Sequence, residues 1–157
     1  MDTERIIRDQ KEQFLKHGQV SPVLWVELVN GTIARYPFKN FPFRQTEEKQ
    51  RVFFYFGQVV AQQHPGDALR QICFLMEVWL STNTRKPSQD PQRGEGLIVS
   101  ILDVDGRSLS QLGKLFEIIR AGPTVDLVEQ SELSVQGNIL PFFVVGFTKK
   151  QKSIENV

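Results

Sequence analysis

Two runs that are apolar at both strand parities constrain this chain more than any other feature: Ile72-Cys73-Phe74-Leu75-Met76-Glu77-Val78-Trp79-Leu80 and Leu97-Ile98-Val99-Ser100-Ile101-Leu102. A strand with one wet face alternates apolar and polar residues, because successive side chains point to opposite sides. Runs without that alternation predict central strands covered on both faces. The loop between them, Pro87-Ser88-Gln89-Asp90-Pro91-Gln92-Arg93-Gly94-Glu95, is dense in proline and charge. Two buried strands would hold it rigidly at a sheet edge, where rigid scaffolds commonly display function. It serves equally well as a structural clasp, and it names no reaction.

Around this centre the remaining segments read in sequence. Residues 3 to 17 fit a helix, with Ile6, Ile7, Gln10 and Phe14 on one side and Gly18 as its stop. Val23 to Val29 and Thr32 to Tyr36 flank Asn30-Gly31, which predicts a hairpin with a two-residue type I′ turn. Thr46 followed by Glu47 and Glu48 suits a helix start. The helix it opens gathers Val52, Phe53, Phe56, Val59 and Val60 on one face, points Phe54 away, and ends at His64-Pro65-Gly66. Asp105-Gly106 predicts a second hairpin, and residues 109 to 120 read as its returning strand, although the spacing of Leu112, Leu115, Phe116 and Ile119 also fits a helix. Thr124 to Glu129 alternates as a half-buried strand does. Ile139 to Phe147 is apolar all round and must be buried, but so short a run does not separate helix from strand.

The whole reads as one α+β domain over residues 1–148: a mainly antiparallel, twisted sheet of about six strands with two helices packed on it. Residues 149–157 are expected as a flexible C-terminal tail. At 157 residues the chain is long enough for one core and too short for two comfortable ones.

Charge and cysteine content narrow the partners. Nineteen basic residues against 18 acidic leave a net charge of +1, too little excess for a nonspecific nucleic-acid binder. Arg35, Tyr36, Lys39, Phe41, Phe43 and Arg44 interleave basic and aromatic types as stacking platforms do, yet they suit a core edge as well, so nucleic acid is not expected as a partner. The single Cys73 lies in an apolar run and cannot form an internal disulfide, which favours the cytoplasm. No apolar leader and no stretch of bilayer-spanning length is present, so no membrane partner is expected.

Signatures of catalysis are missing. His17 and His64 are the only histidines, and neither has neighbours at metal-ligand spacing. Glycine-rich phosphate loops and a Gly-x-Ser-x-Gly elbow are absent. No catalytic residue, metal or cofactor is therefore assigned. Glu77 is the residue of most interest, because it shares strand parity with Cys73, Leu75 and Trp79 and so is carried onto a largely buried face. A buried carboxylate needs a partner or a raised pKa. Arg93 on the adjacent loop is the expected partner, with Asp90 and Glu95 competing for its guanidinium. The preferred reading is an ion-pair lock fastening loop to sheet. The alternatives are a polar binding cluster of Glu77, Trp79, Asp90, Arg93 and Glu95, or an acid/base pair within it.

Glu77-Val78-Trp79, then Pro87 to Glu95, then an apolar strand resembles a pattern in small uncharacterised prokaryotic proteins (E-x-W … P-S-x-D-P-x-R-x-E). The resemblance implies no activity and no residue role. Missing catalytic signatures, 12 phenylalanines and the off-face Phe54 favour a non-enzymatic interaction or assembly domain, self-associating. A small-molecule binding protein or hydrolytic enzyme using Glu77, Asp90, Arg93 and Glu95 is the alternative, with its ligand undetermined.

Overall fold

The computed structural model describes residues 1–38, 46–80, 94–106, 108–130 and 139–156, apart from the side chains of Thr46, Trp79 and Leu80. Its elements are α1 (Thr3–His17), β1 (Val23–Leu28), β2 (Ile33–Pro37), α2 (Thr46–Gln63), β3 (Leu69–Leu80), β4 (Gly94–Asp105), β5 (Ser108–Ala121), β6 (Thr124–Glu129) and α3 (Leu140–Glu155). The six strands form one open sheet in the order β2-β1-β3-β4-β5-β6, with every neighbouring pair antiparallel. This is the expected α+β architecture, with a third helix added.

The two apolar runs lie at the centre, paired through Cys73 with Ile101 and Leu75 with Val99. Their lack of alternation has the anticipated cause. On one face Cys73, Leu75, Leu97, Val99 and Ile101 pack with Ile6 of α1 and Phe116 of β5. On the other, Ile72, Phe74 and Leu102 pack with Phe53 and Val60 of α2 and with Leu140, Phe143 and Phe147 of α3. The sheet is thus a middle layer, and each fully buried Phe or Leu contributes roughly 1.5–3 kcal/mol relative to exposure.

Local signals set the boundaries. Asp2 caps α1 by accepting from the Arg5 N–H at 3.0 Å, and Gly18 closes it by donating to the Phe14 carbonyl at 2.8 Å. The β1–β2 hairpin forms where expected, but its turn differs. Gly31 N–H donates to Leu28 O and Leu28 N–H to Thr32 O, both at 2.9 Å, with Gly31 at φ 92°. That is a three-residue loop ending in a left-handed glycine, which frees Asn30 from the strain of positive φ. Residues 108–121 return as the β5 strand, as the Asp105-Gly106 turn implied.

The C-terminal segment corrects one expectation. Residues 149–155 are the last turns of α3 rather than a tail. Gln151 is buried among them, its Nε2 donating to His64 O at 2.7 Å and its Oε1 accepting from Gly66 N–H at 3.1 Å. An amide that satisfies both groups of the α2–β3 turn holds the helix end in place.

The two helices on that face run side by side in the same direction: Phe54 meets Gly146, Gly57 meets Phe143 and Phe147, and His64 meets Gln151. Both glycines stand where a Cβ would fall inside the opposing backbone, at Phe143 O for Gly57 and Phe54 O for Gly146. The absent side chains let the helices approach closely.

Candidate functional site

Two places on the fold gather residues of interest, one on each face of the sheet. The first is the acidic cluster nominated by strand parity. Glu77 follows Cys73 and Leu75 onto the α1 face, where it is half-buried. Its Oε1 accepts from the Val20 N–H, in the connection between α1 and β1. Burial raises the carboxyl's pKa; the Val20 hydrogen bond opposes this, the Glu95 charge adds to the rise, and Arg120 counters it.

Glu95 is answered from the next strand. Ile118 is its Cα partner on β5, so Arg120, two residues further, is its diagonal neighbour on the same face. Arg120 donates Nε to Glu95 Oε2 at 2.6 Å and Nη2 to Oε1 at 3.2 Å, a bidentate grip. Its Nη2 also donates to Gly18 O at 2.8 Å, and the guanidinium lies 4.6 Å from the centre of the Phe14 ring. The bond to Glu95 raises the Arg120 pKa further above its ordinary value. The cluster therefore fastens the C-terminal end of α1 to β3, β4 and β5, and both described carboxylates are engaged within the chain.

Of the five residues nominated from the sequence, Glu77 and Glu95 come together on this face. Trp79 pairs with Glu95 through the backbone, and its side chain lies outside the described residues, as do Asp90 and Arg93. Arg120 was missed. The signal that finds it is strand register, because Glu95 and Arg120 become neighbours only once β4 and β5 are aligned.

Other polar candidates are also accounted for. Glu27 accepts from the Met1 ammonium at 2.7 Å. Burial pushes the Cys73 thiol up to about 12, which leaves no thiolate for nucleophilic work near neutrality. Arg35 stacks over Trp25, its guanidinium 5.8 Å from the ring centre, and Tyr36 packs edge-on against Phe56 at 5.0 Å. Lys39, Phe41, Phe43 and Arg44 lie outside the described residues. Among the described residues no group of three or more His, Cys, Asp or Glu side chains is placed to hold a metal ion. Likewise, no described helix is long and apolar enough to cross a membrane.

The second place is the outer face of the α2–α3 pair, turned away from the sheet. Tyr55, Phe142 and Val145 are 66%, 39% and 53% exposed there. Phe54, half-buried, and Phe142 line a hollow of about 330 Å³ with Glu47, Gln50 and Arg51. Helical spacing explains the grouping: Phe142 and Val145 lie three apart on one side of α3, Phe54 stands at the seam against Gly146, and Tyr55 lies about 100° further round α2, on its outer side. Phe54 was the only member visible as off-face from the sequence; the others needed α3 to be a helix beside α2.

Comparison with protein-family models, with curated proteins and with solved structures finds no match for the chain.

Proposed function

We propose that this chain is a non-enzymatic assembly domain of a cytoplasmic protein, self-associating through the outer face of α2 and α3. The observation that carries the reading is that Tyr55, Phe142 and Val145 all stand exposed on the outer side of the helix pair, with Phe142 beside the half-buried Phe54. Single exposed apolar residues are ordinary; several on one side of a close-packed helix pair mark an interaction surface. Burying it recovers roughly 25 cal/mol per Å² of apolar area. The close approach at Gly57 and Gly146 keeps the pair rigid, so little ordering cost is added on docking. The engaged states of Glu77 and Glu95 and the buried thiol of Cys73 favour this reading over a chemical one.

Light scattering on the wild type and on Val145→Asp tests it. The wild type is expected to exceed the monomer mass, and Val145→Asp to be a monomer with unchanged melting temperature, because the side chain is exposed. A monomeric wild type would remove the reading.

A further inference from the structure

Resting on that reading of the helix-pair face, we infer that its occupant is a second copy of this chain turned end for end. In this arrangement Glu47 and Glu48 of each protomer meet Lys149 and Lys152 of its partner. The parallel course of α2 and α3 makes the face electrically two-ended. Both helix starts lie at one end, where α2 carries Glu47 and Glu48 and the first turn of α3 has no acidic residue. At the opposite end α3 carries Lys149 and Lys152, while the last turn of α2 has no basic residue. Arg51 offsets one of the two acids on the outer surface. By helical spacing Lys49 lies on the far side of α2.

The two arms are nearly equal. At 1.5 Å per residue, Glu47 lies about 12 Å before Tyr55 along α2, and Lys152 about 10 Å beyond Val145 along α3. A two-fold axis lying in the contact plane near Tyr55 and Val145, perpendicular to the line joining the acidic and basic ends, therefore lays acid on base at both ends and apolar on apolar between them. Such a contact is isologous and closes at two copies. Docking two copies in the same direction would instead oppose like charges. Glu47, Glu48, Lys149 and Lys152 are exposed, and none belongs to an ion pair within the described residues. Helix dipoles favour the same signs of charge at these ends, but they do not account for the apolar centre the charges enclose. Eighteen residues of α2 give a face about 27 Å long, and two packed helices make it about 20 Å wide. That is the footprint of a small specific interface.

Charge reversal with complementation tests the arrangement. One variant carries Glu47→Lys and Glu48→Lys; a second carries Lys149→Glu and Lys152→Glu, with a heavy-nitrogen label to give mixed dimers their own mass. Each alone is expected to self-associate at least about tenfold more weakly than the wild type. An equal mixture is expected to regain affinity as mixed dimers, because both ends are then complementary. If both variants self-associate like the wild type, or if the mixture shows no preference for mixed dimers, the end-for-end arrangement is overturned. When this happens while Val145→Asp still abolishes association, the assembly reading survives. A wild type that is monomeric overturns both.

Discussion

Arg120 grips Glu95 across neighbouring strands with two hydrogen bonds, 2.6 and 3.2 Å, and spends a third on the Gly18 carbonyl at 2.8 Å. One guanidinium thus joins β4, β5 and the end of α1, over the ring of Phe14. Arg120→Ala is expected to melt several degrees below the wild type with its association unchanged. Arg120→Lys should recover only part of the loss, because an ammonium cannot reproduce the planar fork. Calorimetry checks this; equal melting temperatures would show that the clasp holds nothing.

Glu77 gives a pH dependence with a definite sign. Its carboxyl is raised above the ordinary 4.5, chiefly by burial. The folded state therefore holds a proton that the unfolded state has released, over the interval from 4.5 up to the folded value. Stability contributed by this group is fully present below that interval and is lost as pH rises through it. Glu77→Gln keeps an oxygen to accept from Val20 N–H and removes the titration. The melting-temperature difference, variant minus wild type, should then grow from pH 4.5 towards pH 7. A difference that stays flat, or grows towards acid, would contradict this sign.

At the helix crossing, Gly57→Ala is expected to cost about 2 kcal/mol or more in urea unfolding. Alanine is the better helix former by about 1 kcal/mol, but its Cβ would meet the Phe143 carbonyl oxygen. Backbone on both sides leaves little room to relax. A variant as stable as the wild type would mean that α2 and α3 are not packed this closely.

Gln151→Ala should destabilise by about 1–2 kcal/mol, because His64 O and Gly66 N–H both lose their partner. Deleting residues 149–157 should cost more, since it also removes the last turns of α3. Unchanged urea midpoints would restore the tail expected from the sequence.

The differences between expectation and structure have physical reasons. The central strands were legible because covering both faces of a strand leaves an unmistakable composition between Ile72 and Leu102. The Asp105-Gly106 turn tipped residues 109 to 120 towards the strand that β5 is, against the helix-like spacing of Leu112, Leu115, Phe116 and Ile119. The last helix was not legible: Pro141 and Gly146 punctuate an apolar run too short to show a period. In the fold Gly146 admits the backbone of Phe54. With α3 unassigned, Gln151 could not be placed, and Lys149 to Lys152 looked like a solvated tail. Parity alone carried Glu77 to its face. Its surroundings depend on strand alignment, which is why Arg120, brought beside Glu95 by the pairing of β4 with β5, was not visible from the sequence.

Sedimentation equilibrium of the unmodified protein over a wide concentration range tests the proposed assembly most directly. The apparent mass is expected to climb from 18.0 kDa towards twice that value and to climb less steeply at high salt, where the charged ends are screened. A single species of 18.0 kDa at every concentration, into the hundreds of micromolar, would contradict it.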